Sequence, residues 1–332
     1  MTTSIMGAGP GQTETAIPPD LLLQLLKRIL GARVELAGCQ IGNQQHDYLV
    51  LLLQLRHPSM KVVAKLAGPE APLAAAFERT VMLQRLAAAH TTIPMPKVLA
   101  VDTSCQVWPW RYLIQTYIGG QEWAAARGQM TSEELSNAYR QIGSAVAQLH
   151  AIRFPAFGEL ASDGSVQGDE PYLAALGEHA RSIIRSAHLR ELFLSALESR
   201  RSLFAEVRGA SLCHEDLHMH NIIFRRDQGR WRLATILDFD KAWAGHHETD
   251  LARLELWKDM TSAEFWGAYK AICPVAPLYE ERRAIYQLLW CLEYARSTAE
   301  HLADTQRLCR ELGLPRLELN ESTGGQNQGP GL

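Results

Sequence analysis

The chain has 332 residues, 47% hydrophobic and 21% charged, enough to bury one large core or two smaller ones. A formal net charge of −3 argues against nucleic acid or a membrane surface as the default partner, since both call for a basic excess. The six cysteines (39, 105, 213, 273, 291 and 309) are scattered with no CxxC pair, which argues against a disulfide framework or a cysteine zinc site and suits a reducing cytosol.

Residues 1–19 are small and polar, with no basic stretch ahead of an apolar core, and 320–332 are glycine-rich; both read as flexible tails of a cytoplasmic protein. No apolar run approaches the roughly 18 residues of a membrane span. Pro18-Pro19-Asp20 starts a helix whose apolar residues Leu21, Leu22, Leu25, Leu26 and Ile29 keep helical spacing until Gly31 stops it. Three β-prone runs follow: Val34 to Gly38, Tyr48 to Leu55 and Lys61 to Leu66. Gly38 to Gln45, containing Gly42 and Asn43, is predicted to be a polar turn between the first two. A helix over 71–89, strands over 98–101 and 112–118, and a glycine hinge at Gly119-Gly120 complete a sheet-based lobe over 20–118.

Beyond the hinge, 119–319 is predicted to be mostly helical. Thr131 caps a helix over 132–150, a loop covers 151–170, and helices are expected over 171–187, 189–208, 249–258, 262–272 and 279–312. Between them lies His214-Glu215-Asp216-Leu217-His218-Met219-His220-Asn221, polar residues packed between β-prone runs. Two readings compete. His214, Glu215 and His218 spell HExxH, the zinc-hydrolase pattern, which needs both histidines on one continuous helix. His214, Asp216 and Asn221 spell HxDxxxxN, a phosphotransferase catalytic loop. The sequence after His218 reads as a hairpin, with strands either side of Asp227-Gln228-Gly229 and Asp238-Phe239-Asp240 at its end. A hairpin leaves no room for the zinc helix but draws Asp216, Asn221 and Asp238 together.

These motifs, with Asp250-Leu251-Ala252 after them, resemble the aminoglycoside phosphotransferase family, relatives of choline kinases and protein kinases, over roughly residues 33–300. The resemblance implies a two-lobed, protein-kinase-like α+β fold with a small antiparallel-sheet lobe and a larger helical one. It implies ATP- or GTP-dependent phosphorylation of a small-molecule hydroxyl, with Asp216 as base, His214 and Asp250 bracing the loop, and Asn221 and Asp238 holding Mg²⁺. Lys65 would contact the phosphates, under a turn containing Gly42 and Asn43, and the hinge backbone around Gln115 and Tyr117 would meet the adenine. Glu78 is the acid available to pair with Lys65, although the family register falls one residue later, on Arg79.

The acceptor is expected to be an aminoglycoside-like or other antibiotic, making the protein a resistance enzyme, or else an amino alcohol or sugar. Asp240, Glu248, Glu293 and Trp290 are candidate acceptor contacts, and Glu215 would add negative charge favouring a cation. Tyr286, Trp290 and Tyr294 suit helix-packing core better than a cage. A nucleotide-binding pseudokinase and a zinc hydrolase are the alternatives of other classes. The protein is expected to act as a monomer or homodimer.

Overall fold

The computed structural model describes residues 17–45, 48–68, 71, 77–106, 108–168, 170–293 and 298–317. The chain forms two compact units: one from residues up to Phe77 together with Lys97–Tyr117, the other from Glu78–Pro96 together with Ile118 onward.

The first unit comprises α1 (Pro19–Leu30), β1 (Leu36–Gln45), β2 (Tyr48–Leu55), β3 (Met60–Ala67), β4 (Val98–Asp102) and β5 (Arg111–Thr116). The strands make one antiparallel sheet in the order β1-β2-β3-β5-β4. Side chains alternate across a strand, so Leu49, Leu51, Leu53 and Leu55 share a face with Val62, Ala64, Leu66, Tyr112 and Ile114. These residues form one buried cluster with Leu22, Leu25 and Leu26 of α1. Lys65 points to the opposite face, paired in register with Val50 and Leu113.

The predicted turn over 38–45 is instead strand. β1 runs through Gln45, and the register jumps from Ile41↔Leu51 to Asn43↔Val50, which leaves Gly42 as the extra residue of a bulge. The connection at 46–47 and the side chain of Asn43 lie outside the described residues.

α2 (Phe77–His90) carries the chain from the first unit into the second at Glu78; of the predicted 71–89 helix, residues 72–76 lie outside the described residues. The second unit continues with β6 (Gln121–Glu122), α3 (Trp123–Ala126), α4 (Ser132–His150), β7 (Arg153–Phe154), β8 (Glu159–Leu160), β9 (Val166–Gln167), α5 (Tyr172–Ile183) and α6 (Ala187–Glu198). Then come β10 (Ala210–Cys213), β11 (Ile222–Asp227), β12 (Arg230–Ile236), β13 (Trp243–Gly245), α7 (Glu248–Leu256), α8 (Ala263–Lys270), α9 (Tyr279–Glu293) and α10 (Ala299–Glu311).

Thr131 caps α4 as expected: its hydroxyl accepts from Glu134 N while the Glu134 carboxylate accepts from Thr131 N, a complete capping box. Gly143 lets α4 lie directly against the backbone of Phe265 in α8, where a Cβ would collide with the Phe265 carbonyl. α9 is buried on nearly every side, with Ile285, Tyr286, Leu288, Leu289 and Trp290 all inside, so its aromatics are core. Tyr294 lies outside the described residues. No described helix is long and apolar enough to cross a membrane.

Candidate active site

Two short sheets deliver the loop 214–221. β10 is the buried centre of a three-stranded sheet between β13 and β7, and it ends at Cys213. β11 leaves at Ile222 and pairs with β12 across a tight turn, where Gln228 (φ 48°) and Gly229 (φ 78°) both take left-handed conformations. The eight residues between are not helical. His214 and His218 therefore do not share a helix face, and the His214 Nε2 hydrogen donates to Leu237 O at 2.8 Å. That geometry removes the HExxH reading.

Asp250, in the first turn of α7, ties down the start of the loop. Its Oδ2 accepts from His214 N at 2.6 Å and its Oδ1 from Glu215 N at 2.8 Å. His150 of α4 lies 3.0 Å from the same carboxylate, with its other nitrogen 2.8 Å from the Tyr269 hydroxyl. Burial alone would raise Asp250, but the His150 hydrogen bond and charge and the loop contacts outweigh it and hold the group ionised.

His214 ties the loop to the strand that leads to Asp238. Its Nδ1 accepts from Asp216 N at 3.2 Å, so the proton sits on Nε2, the atom that reaches Leu237 O. Burial lowers the His214 pKa and keeps the ring neutral, as this bonding requires. Leu237 N donates to Asn221 O at 2.8 Å, and Ile222 pairs with Ile236. Asn221 and Asp238 thus flank the same end of the hairpin. Asp238 takes the left-handed conformation (φ 66°, ψ 66°) that turns the chain out of β12.

Asp216 is buried and intensely paired. Arg253 Nη2 donates to its Oδ1 at 2.7 Å and Lys241 Nζ approaches the same oxygen at 3.4 Å. Its Oδ2 has longer neighbours, Asn221 Nδ2 at 3.4 Å and His218 Nε2 at 3.8 Å. His218 Nδ1 accepts from His220 N at 3.2 Å, and its Nε2 also lies 3.1 Å from Asn221 Nδ2. Burial pushes Asp216 up, yet the Arg253 charge, the His218 contact and Lys241 together hold it far below the usual carboxylate range.

Hard oxygen donors suit Mg²⁺. Asn221 Nδ2 donates to Asp216 O at 2.9 Å, which leaves its Oδ1 as an oxygen donor, and Asp238 follows β12 at the same strand end. The residues present fit that metal. Among the described residues the one compact metal-capable cluster is elsewhere, at His246, His247 and Glu248, and the Glu248 carboxylate there is already taken by Arg282.

The model of the phosphotransferase enzyme family matches residues 38–285. The chain belongs to that family. No curated protein matches it at a significant level. Among solved structures it is similar to the ternary complex of APH(2'')-IIa with streptomycin and ATP, at 15% identity and a TM-score of 0.61, over 91% of this chain and 100% of that one. It is also similar to ADP-bound APH(2'')-Ib, at 18% identity and a TM-score of 0.59, over 90% and 100% of the two chains. A Plasmodium vivax ethanolamine kinase aligns at 16% identity and a TM-score of 0.54, over 84% of this chain and 82% of that one. The fold is the protein-kinase-like α+β fold of these small-molecule kinases.

Against that frame several sequence-level candidates change meaning. Glu215 is not a surface charge: Trp243 Nε1 donates to its Oε1 at 2.7 Å and Thr249 Oγ1 at 2.6 Å, while His179 Nε2 stands 3.4 Å from Oε2. Its backbone is left-handed (φ 64°), which drives the side chain inward. Glu248 is fully buried and held by Arg282 through Nε at 2.7 Å and Nη2 at 2.8 Å. Asp240 Oδ1 accepts from Thr80 of α2. The Trp290 ring lies under the Arg253 guanidinium at 4.1 Å and its Nε1 donates to Thr249 O. Glu293 accepts from Lys241 Nζ at 2.8 Å.

In the first unit, Thr116 N donates to Lys97 O and Tyr117 N to Lys61 O, so these amide hydrogens are spent within the sheet. Gln115 is buried on β5. Glu78 opens α2 with its side chain exposed. Arg79 is committed to the segment after Asp238, with Nη1 donating to Asp240 O at 3.0 Å and Nη2 reaching Glu159 Oε2 at 3.0 Å and the Ala242 carbonyl.

Arg253 is the main functional residue that sequence reading missed. Its signal was present: it follows Asp250 by three residues in α7, one turn along the same face, so an arginine there points at the same loop.

Proposed function

We propose that the protein is a kinase that transfers the terminal phosphoryl group of ATP or GTP to a hydroxyl of a small molecule, with Mg²⁺ on the nucleotide. The observation that supports this best is the loop 214–221. Asp250 and His214 hold it without a helix, with Asn221 beside Asp216 and its backbone tied to Leu237, the residue before Asp238.

In this reading Asp216 receives the acceptor hydroxyl. Oδ1 is anchored by Arg253, and Oδ2, with its longer contacts, is the oxygen with room for an incoming hydroxyl. A carboxylate held so far toward ionisation is a weak base, so its main work is to orient the hydroxyl, with proton transfer late. Asn221 and Asp238 would hold the metal, which supplies charge neutralisation across the phosphates. Lys65, on the central strand of the first unit, is assigned to the phosphates by the family resemblance, and the chain around Gln115 and Tyr117 to the adenine.

For the acceptor, the pairing of the acids favours a metabolite of low charge, such as a neutral sugar or a singly charged amino alcohol, over a polycationic antibiotic. Glu215 and Glu248 are buried on partners, and Glu293 is engaged by Lys241. A polycation would have to displace each partner. The test is ADP or GDP release with both nucleotides over panels of sugars, amino alcohols and aminoglycosides. Acceptor-dependent release on a sugar or amino alcohol supports the reading; preferential turnover of aminoglycosides would reverse the acceptor assignment, and nucleotide binding without turnover on any acceptor would make the protein a pseudokinase.

A further inference from the structure

Asp216, Arg253, Glu293 and Lys241 close a ring of alternating charge. Arg253 Nη2 meets Asp216 at 2.7 Å and its Nη1 lies 3.7 Å from Glu293 Oε2; Lys241 Nζ meets Glu293 Oε1 at 2.8 Å and Asp216 Oδ1 at 3.4 Å. The two cations are not equivalent. Arg253 is 1% exposed, pinned also to Glu215 O and covered by Trp290, whereas Lys241 is 37% exposed at its side chain. If Lys241 swings away, both acids keep Arg253 and no buried carboxylate loses its last cation. If Arg253 left, both would depend on one flexible ammonium. Lys241 also ends the short helical turn that begins directly after Asp238, so its backbone is fixed between the proposed metal ligand and the base.

We infer that Lys241 is a further catalytic residue, whose ammonium leaves Glu293 to meet the non-bridging oxygens of the phosphoryl group in transfer. The inference rests on the kinase reading above. In the step it serves, the acceptor oxygen bonds to the γ-phosphorus and the bond from that phosphorus to the β,γ-bridging oxygen breaks. Its electron pair stays with the departing nucleoside diphosphate, and the hydroxyl proton passes to Asp216 Oδ2. Negative charge is spread over the equatorial oxygens of the moving group, and a compact ammonium with three rotatable donors can follow them as an immobile guanidinium cannot. Glu293 is then a positioning residue that holds Lys241 beside the base before the nucleotide arrives.

The test uses the full chain with ADP, Mg²⁺ and aluminium fluoride, which mimics the phosphoryl group in flight and needs no acceptor. Wild type should bind ADP–Mg²⁺ more tightly with fluoride than without. Lys241→Met should cut that fluoride-dependent tightening at least tenfold while leaving ADP–Mg²⁺ affinity within about threefold, and Lys241→Arg should recover part of it. An unchanged tightening in Lys241→Met, or an equal loss of affinity with and without fluoride, overturns the assignment. Wild type that fails to bind ADP–Mg²⁺ at all would overturn the kinase reading itself, a result separate from either of these.

Discussion

Arg253 Nη2 lies 2.7 Å from Asp216 Oδ1, and the same guanidinium donates through Nη1 to Glu215 O, so one buried arginine fixes both the backbone and the carboxylate in the loop 214–221. Its planar fork makes the two contacts together, and the Trp290 face beneath it at 4.1 Å completes the seat. Sequence motifs place Asp216 in the loop; the arginine determines which of its oxygens is available.

Removing that arginine should be costly. Arg253→Ala leaves the carboxylates of Asp216 and Glu293 buried with Lys241 as their remaining ring partner, and a destabilisation of about 3–5 kcal/mol is expected in urea denaturation. Arg253→Lys should recover part of the stability but not the double contact, since an ammonium cannot reproduce the fork. A loss of less than about 1 kcal/mol in the alanine variant would mean that the pair is solvated in solution.

Stability should fall on both sides of neutrality for identifiable reasons. Burial would lower His179, but its hydrogen bonds to Glu159 and Glu215 and their charges outweigh it and raise its pKa from 6.5 to about 9. A proton bound more tightly in the folded state stabilises fully below about 6.5 and is lost as pH rises through about 9. The contribution is about 3 kcal/mol at most, and His179→Gln should remove that alkaline slope while lowering stability at pH 6. His247 is the opposite case: burial, with His150 and the nearby arginines, lowers it from 6.5 to about 3, so it is buried neutral and folding loses stability as pH drops below 6.5. Denaturation midpoints between pH 4 and pH 9.5 for wild type, His179→Gln and His247→Gln would read the two slopes separately.

The register of α2 gives a third expectation. Glu78 is exposed, while Arg79, the position to which the family resemblance points for its glutamate, bonds Glu159 Oε2 and the carbonyls of Asp240 and Ala242. Arg79→Glu should therefore weaken the protein by about 1–2 kcal/mol through repulsion with Glu159 and three lost hydrogen bonds. Markedly weaker nucleotide binding by this variant, with stability unchanged, would show instead that position 79 faces the phosphates.

Asp238→Ala should lower affinity for Mg²⁺-nucleotide at least tenfold and leave metal-free nucleotide binding nearly unchanged, because the proposed role is ligation of the metal. Isothermal titration with and without Mg²⁺ separates the two, and equal losses in both would move Asp238 out of the metal site.

Much of the fold could be read from local signals. Thr131 announced the start of α4, Gly31 the end of α1, and Asp227-Gln228-Gly229 the hairpin that rejected the zinc helix. The predicted turn over 38–45 failed because β1 is an edge strand: polar residues are tolerated there, and Gly42 serves a bulge rather than a turn. The same logic explains the acids. Glu215, Glu248 and Glu293 look like a cation-attracting surface in sequence, since a single charged residue is usually solvated. Their partners Trp243, Arg282 and Lys241 are 28, 34 and 52 residues away, and only the tertiary fold brings them together. Arg253 escaped notice for a similar reason: its spacing from Asp250 puts it on the same face of α7, but only the tertiary fold shows that this face is buried against the loop.

The central claim is that Asp216 orients the acceptor while other groups hold the nucleotide. The most direct measurement is phosphoryl transfer by Asp216→Asn, alongside its affinity for Mg²⁺-nucleotide. The account predicts transfer reduced by about 10²–10⁴-fold with nucleotide affinity within about threefold of wild type. Turnover at the wild-type rate, with the same acceptor, would contradict it.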